Sequence, residues 1–277
     1  MGRRTALVAS RLALVAVVLA IWQWVPQIPG ITRWAPIFDP FFISSPARIA
    51  AKFWQLATTT GDQGAVLKSG NLFVQLWATL WATLLGFVVG VTSGFLAGLV
   101  LSQTRTLADI LNPYLVAVNA LPRVALVPLI IMIFGTGLGA KVVLAWLIVF
   151  FIVFFNTYAG GRALEPSLVD SCRILGASRR QLLRTVVIPH VAGWTFAILP
   201  LAMSASIIGV VVGEFVGGAQ GLGYIITVAL GQLEATDLFV ALLTLCVVAV
   251  VLIGLATRLE KRLLHWRPEH VGGGGQA

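Results

Sequence analysis

Residues 142–155 read VVLAWLIVFFIVFF, an apolar run with no charge, glycine or proline. A strand of a membrane β-barrel alternates between lipid-facing and lumen-facing residues, and this run shows no such alternation. The hydrocarbon core of a bilayer admits only helices and closed barrels as spanning structures. The run therefore predicts a transmembrane helix and places the chain among the all-α polytopic membrane proteins.

Five further apolar stretches have a similar composition. The chain of 277 residues is 58% hydrophobic and only 10% charged, and about 20 helical residues suffice to cross the hydrocarbon core. The first stretch ends in Trp22, Trp24 and Pro26 where a signal-peptide cleavage site would need small residues, which indicates an uncleaved span. We predict six transmembrane helices, at Leu12–Ile28, Leu72–Leu101, Val116–Phe134, Val142–Tyr158, Val191–Val212 and Leu238–Ala256.

The segments between the spans complete the predicted organisation. Ser45 and Pro46 suit the cap and first position of an amphipathic helix at the membrane interface. A later segment with six glycines predicts a re-entrant or interfacial element on the outer side, because it is too interrupted for one regular helix. The predicted parts are a tail and first span at 1–28, an outer loop with the interfacial helix at 29–71, a core of five spans at 72–256 with short helices at 165–187 and the re-entrant segment at 213–231, and a basic tail at 257–277.

Lysines and arginines set the predicted orientation. If the N-terminus lies inside, 13 of them fall on the inner side and five on the outer side, and Arg123 is closer to the inner side. An excess of Lys and Arg marks the cytoplasmic side, so both termini are predicted to be cytoplasmic. This bias accounts for the net charge of +9. Nucleic-acid binding is not predicted, because no basic segment lies in a soluble recognition module.

No motif for enzyme chemistry occurs in the sequence. GTGLGAKV at 135–142 lacks the spacing and the Lys-Ser/Thr ending of a phosphate-binding loop, and we interpret it as an outer turn. His190, His265 and His270 have no metal-ligand spacing, and neither GxSxG nor HExxH is present. We therefore predict no catalytic residue, no metal site and no cofactor in this chain.

Glu214 is a carboxylate that the sequence places at the outer end of the fifth span. A carboxylate near hydrocarbon usually faces a cavity or finds a partner, because an isolated charge there is costly. Two interpretations stay open. Glu214 either lies at the interface with hydrogen bonds from nearby glycine N–H groups, or it acts in the translocation path or outer gate.

Glycines recur every fourth residue in the second span, at Gly86, Gly90, Gly94 and Gly98. This spacing lines them along one slowly drifting face of a helix. Small residues so arranged let two helix backbones approach closely in lipid, which predicts a helix-packing face. A sliding surface is the alternative interpretation.

The densest charge cluster reads DSCRILGASRRQLLRTVVIP at 170–189. Pro166 suits the first turn of a helix, Gly176 its left-handed end, and Ser178 the cap of the next helix. The pattern predicts two short helices joined at Gly176 across the cytoplasmic face, with Leu168, Cys172 and Leu175 on one apolar side. The arginines remain available to a partner or to anionic headgroups.

This cluster resembles the cytoplasmic loop of permease subunits of ATP-binding-cassette (ABC) importers. That family's pattern is Glu-Ala-Ala, three residues, Gly, nine residues and Ile-x-Leu-Pro. Here Asp170–Cys172, three residues, Gly176, nine residues and Val186–Pro189 keep the spacing. Segments 120–137, 156–166 and 214–226 resemble the branch that imports nitrate, sulfonates, taurine and thiamine-related pyrimidines.

The resemblance implies the type I (MetI-like) importer permease fold in the bacterial inner membrane, with 165–187 as coupling helices. The implied partners are a dimer of separate ATPase subunits that hold ATP and Mg²⁺, a second copy of this chain, an extracytoplasmic solute-binding protein and membrane lipid. The implied contacts to the ATPase are Asp170, Ser171, Cys172, Leu175, Gly176, Ala177, Ser178, Arg179 and Arg180.

Transport without an ATPase, by a secondary transporter or a channel, is the alternative function. The spans hold no series of Asp, Glu or Lys and no internal repeat, which such transporters commonly use. We therefore predict that the energy source lies outside this chain. A membrane scaffold whose basic loop binds anionic lipid is a third interpretation.

Overall fold

The structure is a computed structural model that describes residues 2–24, 43–58 and 71–265. Predictions for 25–42, 59–70 and 266–277, including much of the outer loop and the end of the basic tail, lie outside these described residues. The chain divides into two compact units. One comprises Met1–Trp77 and Ala219–Cys246, and the other comprises Ala78–Gly218 and Val247–Ala277.

The described residues form α-helices joined by short turns. A 3-10 helix at Arg123–Leu126 and a π-helical turn at Leu183–Val187 lie between them. In chain order the α-helices are α1 (Gly2–Trp24), α2 (Pro46–Thr58), α3 (Leu72–Gln103), α4 (Arg105–Ala120), α5 (Val127–Phe134), α6 (Leu138–Arg162), α7 (Pro166–Ile174), α8 (Arg179–Leu182), α9 (Ile188–Ala197), α10 (Leu199–Gly217), α11 (Leu222–Gln232) and α12 (Ala235–Leu263).

Within the described residues, four helices are long and apolar enough to cross a membrane: α3, α6, α10 and α12. α4 and the Arg123–Phe134 helices would make a fifth crossing if this bent pair forms one span. The apolar part of α1, Ala9–Trp24, is shorter than these. The helical membrane fold is confirmed, whereas the count of six spans stays a prediction.

The third predicted span, Val116–Phe134, is not one continuous helix. α4 ends at Ala120, and the chain bends by 83° before it becomes helical again. Leu121 is extended, with φ −64° and ψ 133°. The ring of Pro122 disfavours the helical conformation in the residue before it, which ends α4 and divides the predicted span into two helical segments.

The fifth predicted span, Val191–Val212, is also divided. α9 ends at Ala197, and α10 starts at Leu199 with a proline in its first turn. Pro200 has no N–H to donate to the carbonyl of residue 196, so the helical hydrogen bonding is interrupted at Ile198. The polypeptide therefore crosses this region as two helices.

The glycine-rich segment 213–231 is more regular than the sequence predicts. α10 extends to Gly217 and α11 starts at Leu222, so that only a short turn is irregular. A Cβ on Gly213 would come within 2.8 Å of Leu144 Cδ1, and one on Gly217 within 2.9 Å of Ile131 Cδ1. These glycines allow close packing within a helix and do not break it, whereas the re-entrant placement stays a prediction.

The glycine face of α3 lies against α6 in the second unit. A Cβ on Gly90 would come within 2.6 Å of Val149 Cβ, closer than real Cβ contacts allow. Gly86, Gly94 and Gly98 meet the same face of α6 in the same way. α6 also packs against α9 and α10, so it forms the centre of this unit.

In the first unit, α2 is the helix predicted after Ser45. Ile49 and Leu56 are buried, whereas Phe53 is exposed. Lys52 Nζ lies 3.2 Å from Asp237 Oδ1 in the first turn of α12. This ion pair and the buried apolar residues attach α2 to the rest of the unit.

Candidate functional site

The turn at Gly176 has the geometry that glycine favours at a helix end. Gly176 has φ +82°, in the left-handed region. Its N–H donates to the Arg173 carbonyl at 2.9 Å, and the Ala177 N–H donates to the Cys172 carbonyl at 3.0 Å. This pair of bonds is a Schellman motif, which satisfies carbonyls at the end of α7.

Ser178 caps the helix that follows the turn. Its hydroxyl accepts a hydrogen bond from the Gln181 N–H at 3.3 Å, and Gln181 Oε1 accepts one from the Ser178 N–H at 3.0 Å. These reciprocal bonds form a capping box. The sequence therefore identified both the turn and the cap correctly.

The second predicted short helix is instead the beginning of a longer one. α8 continues through the π-helical turn into α9 without a non-helical residue between them, so helix runs from Arg179 to Ala197. The wider π turn precedes Pro189, whose ring would clash with the carbonyl four residues earlier in a regular helix. The prediction of two separate short helices was wrong for the second one.

The apolar side predicted for α7 is not buried in the described chain. Leu175 is 86% exposed and the adjacent Ile174 is 85% exposed, the highest values among the large apolar side chains of the described residues. Cys172 is half-buried. Asp170 and Arg173 form an exposed ion pair at 3.3 Å.

The predicted contact residues 170–180 thus lie together at the end of α7 and around its turn. Most of their side chains are exposed, including those of Arg179 and Arg180. We call residues 170–180 the coupling tip. It combines protruding apolar side chains with arginines, an arrangement suited to contact with another protein.

Glu214 lies in a second polar cluster, in the interior of the second unit. It is 1% exposed, and its carboxylate accepts hydrogen bonds from Thr79 Oγ1 at 2.9 and 3.1 Å. Lys141 Nζ lies 3.1 Å from Glu214 Oε1. The cluster thereby connects α3, α6 and α10.

The sequence did not identify Lys141 as the partner of Glu214. The sequence predicts an outer turn at Lys141, whereas in the structure it lies in the first turn of α6 and is 5% exposed. Lys141 directly precedes the long apolar run at 142–155, and this position could have indicated that it lies at the start of the helix. A gating role for Glu214 stays a prediction.

No metal site is apparent in the described ranges. They contain no group of three or more His, Cys, Asp and Glu side chains that could hold a metal ion. The two candidate sites in the described residues are the exposed coupling tip and the buried ion-pair cluster at Glu214.

Solved structures with a similar fold are ABC transporters. A chain of the MetNI methionine ABC transporter in an inward-facing conformation matches with a TM-score of 0.58 and 21% identity, over 69% of this chain and 95% of that chain. A chain of an amino acid ABC transporter with histidines matches with a TM-score of 0.57 and 19% identity, over 77% and 96%. At these identities the likeness establishes the fold.

Curated relatives cover most of the chain. The riboflavin transport system permease protein RibX of Chloroflexus aurantiacus is 37% identical over 90% of this chain and 86% of its own length. The taurine transport system permease protein TauC of Escherichia coli is 27% identical over 95% and 91%. The putative aliphatic sulfonates transport permease protein SsuC of Bacillus subtilis is 27% identical over 94% and 88%.

The family model described as "binding-protein-dependent transport system inner membrane component" matches residues 90–265. This range contains the coupling tip and Glu214, and it is well over half of the chain. The chain therefore belongs to the family of binding-protein-dependent inner-membrane components, the permease subunits of ABC importers.

Proposed function

We propose that this chain is the membrane-spanning, non-catalytic subunit of an importer in which a separate ATPase dimer, holding ATP and Mg²⁺, docks on the coupling tip. The observation that carries this proposal is the exposure of Ile174 and Leu175, beside the Schellman turn at Gly176. Removing a large apolar side chain from water contributes about 1.5–3 kcal/mol. Two adjacent side chains at a protruding turn suit insertion into a groove of another protein.

Charge on the coupling tip favours the same role. Arg179 and Arg180 are exposed directly after the turn. Exposed arginines at the edge of an apolar contact increase the association rate and fix the orientation of a complementary acidic partner. The acidic partner in this proposal is the surface of the ATPase that surrounds its groove.

Motion of the ATPase reaches the spans through the helix that follows the tip. This helix runs from Arg179 to Ala197, and Leu182 and Val187 on its apolar side are buried. A displacement of the tip therefore moves a packed helix rather than a loose loop. In the proposed importer, this displacement alternates the two permease copies between inward-open and outward-open states.

The family supports the other parts of the proposed assembly. A binding protein on the outer side delivers the solute to a homodimer of this chain, with both termini in the cytoplasm. The relatives are named for riboflavin, taurine and aliphatic sulfonates, and another is a formylaminopyrimidine permease. We propose an aromatic heterocycle such as a flavin or a thiamine-related pyrimidine as the solute, ahead of taurine-like sulfonates and nitrate, because the RibX likeness is the stronger.

A pair of matched substitutions tests docking. Leu175→Asp should abolish co-purification of the ATPase and ATP-driven uptake in liposomes that contain all subunits. Leu259→Asp, an exposed apolar position on the predicted cytoplasmic part of α12, should leave both intact. Normal ATPase binding by Leu175→Asp would refute docking at the tip, and solute flux without ATPase would favour the secondary transporter or channel.

The solute is tested on the binding protein that co-purifies with this chain. Its melting temperature should rise with a bound ligand, since a ligand that binds only the folded state stabilises it. Riboflavin, formylaminopyrimidine, taurine and nitrate are the compounds to compare. A shift with taurine or nitrate and none with the two heterocycles would overturn the preferred solute class without affecting the docking proposal.

A further inference from the structure

A cavity of about 610 Å³ lies between the end of α3 and the residues around the coupling tip. Its lining includes Leu99 and Val100 of α3 and Leu182, Leu183 and Val187 of the helix after the tip, and we call these apolar residues its floor. The sequence predicts that this end of α3 reaches the cytoplasmic membrane surface. At this predicted position, the apolar floor would lie at the depth where lipid chains begin.

The polar part of the cavity lining, which we call its rim, carries cationic side chains. Arg173 and Arg179 line it, and Arg105 lies one residue beyond the lining residue Thr104. Arg173 pairs with Asp170 at 3.3 Å, but both side chains are more than 60% exposed, so this pair is weak. Among the described residues Arg179 forms no salt bridge, which leaves its guanidinium available to an anion.

The start of α4 adds partial positive charge at the same rim. Thr104 occupies the cap position, but its side chain does not cap the helix. Its hydroxyl donates instead to the Val100 carbonyl at 2.9 Å. The N–H groups at a helix start carry partial positive charge and favour phosphate.

We infer that this cavity binds one anionic phospholipid of the inner leaflet. Its phosphate lies at Arg173, Arg179 and the start of α4, and the upper part of its acyl chains covers the apolar floor. Arginine binds phosphate through paired charge-assisted hydrogen bonds. A free phosphate would leave the apolar floor unfilled, whereas a phospholipid is anionic at one end and apolar at the other.

The bound lipid would stabilise the arrangement of the coupling tip against the end of α3. This consequence rests on the proposed function, because it makes ATPase-driven transport depend on anionic lipid. The binding itself does not rest on it. Lipid binding is therefore measured on the full-length chain without the ATPase.

The test compares phosphatidylcholine nanodiscs with and without phosphatidylglycerol. Phosphatidylglycerol should raise the melting temperature of the chain and stay bound in native mass spectrometry. Arg173→Gln combined with Arg179→Gln should lower retention of phosphatidylglycerol by about tenfold or more, because charge-assisted hydrogen bonds are lost. Arg184→Gln is the control and should retain the lipid, because Arg184 lies on the same helix as Arg179 but outside the cavity lining.

A second variant tests the apolar floor without changing charge. Leu99→Trp should fill the cavity and reduce phosphatidylglycerol retention, whereas Val88→Trp, at an exposed position on the same helix, should not. Unchanged retention in both the arginine variant and Leu99→Trp would overturn the inference. Equal thermal protection by inorganic phosphate in detergent would also overturn it and assign a free-anion site.

Adding the ATPase distinguishes a lipid site from a site of contact with the ATPase. Displacement of phosphatidylglycerol when the ATPase is added would overturn the lipid assignment and show that the cavity belongs to the contact with the ATPase. If the arginine variant and Leu99→Trp both retain phosphatidylglycerol while ATPase binding is normal, only the lipid inference fails. Loss of ATPase docking is measured separately by Leu175→Asp, so the two proposals fail independently.

Discussion

Replacing Lys141 with Met tests what keeps the Glu214 carboxylate stable inside the helical core. Lys141 Nζ lies 3.1 Å from Glu214 Oε1, and the two side chains are 6% and 0% exposed. At an effective dielectric constant of about 20, unit charges at this separation attract by about 5 kcal/mol. Thr79 still donates to the carboxylate in the variant. We expect Lys141→Met to lower the free energy of unfolding by about 3–5 kcal/mol, the usual loss when a buried pair loses one partner.

The double variant Lys141→Met, Glu214→Gln removes both charges. The amide oxygen introduced at position 214 still accepts the hydrogen bond from Thr79. No buried charge is then left without a partner. We expect it to be more stable than Lys141→Met alone, because replacing a whole buried pair is often close to neutral. Arg173→Gln is the control, since its exposed pair contributes about 0–1 kcal/mol.

The assay is unfolding of the purified chain in mixed detergent micelles with increasing SDS, followed by tryptophan fluorescence. The midpoints of wild type, Lys141→Met, Glu214→Gln and the double variant form a double-mutant cycle. A loss below about 1 kcal/mol for Lys141→Met would refute the argument, as would additive losses in the double variant.

Three further tests, at Gly90, Gly176 and Ser178, address local features of the fold. Gly90→Val should disrupt packing of α3 on α6 and lower the SDS midpoint, because a Cβ at position 90 would lie 2.6 Å from Val149 Cβ. Gly254→Val is the control and should be tolerated, because a Cβ at position 254 would face open space. Gly176→Val should reduce ATP-driven uptake and Gly176→Asn should preserve most of it, since asparagine tolerates φ +82° and valine does not. Equal uptake by the two variants would contradict this reasoning. Ser178→Ala should lose about 1 kcal/mol of thermal stability with the capping box, and an unchanged melting temperature would contradict it.

Local sequence chemistry predicted the coupling tip well. Proline at the helix start, glycine at the left-handed end and serine at the next cap act through bonds within a few residues, so Pro166, Gly176 and Ser178 could be identified without tertiary information. Hydropathy did not locate the break at Pro122 or the one at Ile198, two residues before Pro200. Apolar composition continues through both prolines, and only backbone sterics and hydrogen bonding interrupt the helix there.

The amino-acid sequence by itself determined the helical membrane class, the packing face of α3 and the turn at Gly176, because each depends on composition or on short-range periodicity. Tertiary structure alone decided that Lys141 and Glu214, which are 73 residues apart, form a buried pair. It also decided that Ile174 and Leu175 protrude and that a cationic cavity lies beside them. Contacts between distant residues depend on how helices cross, and helix crossing leaves no signal in the local pattern of a single sequence.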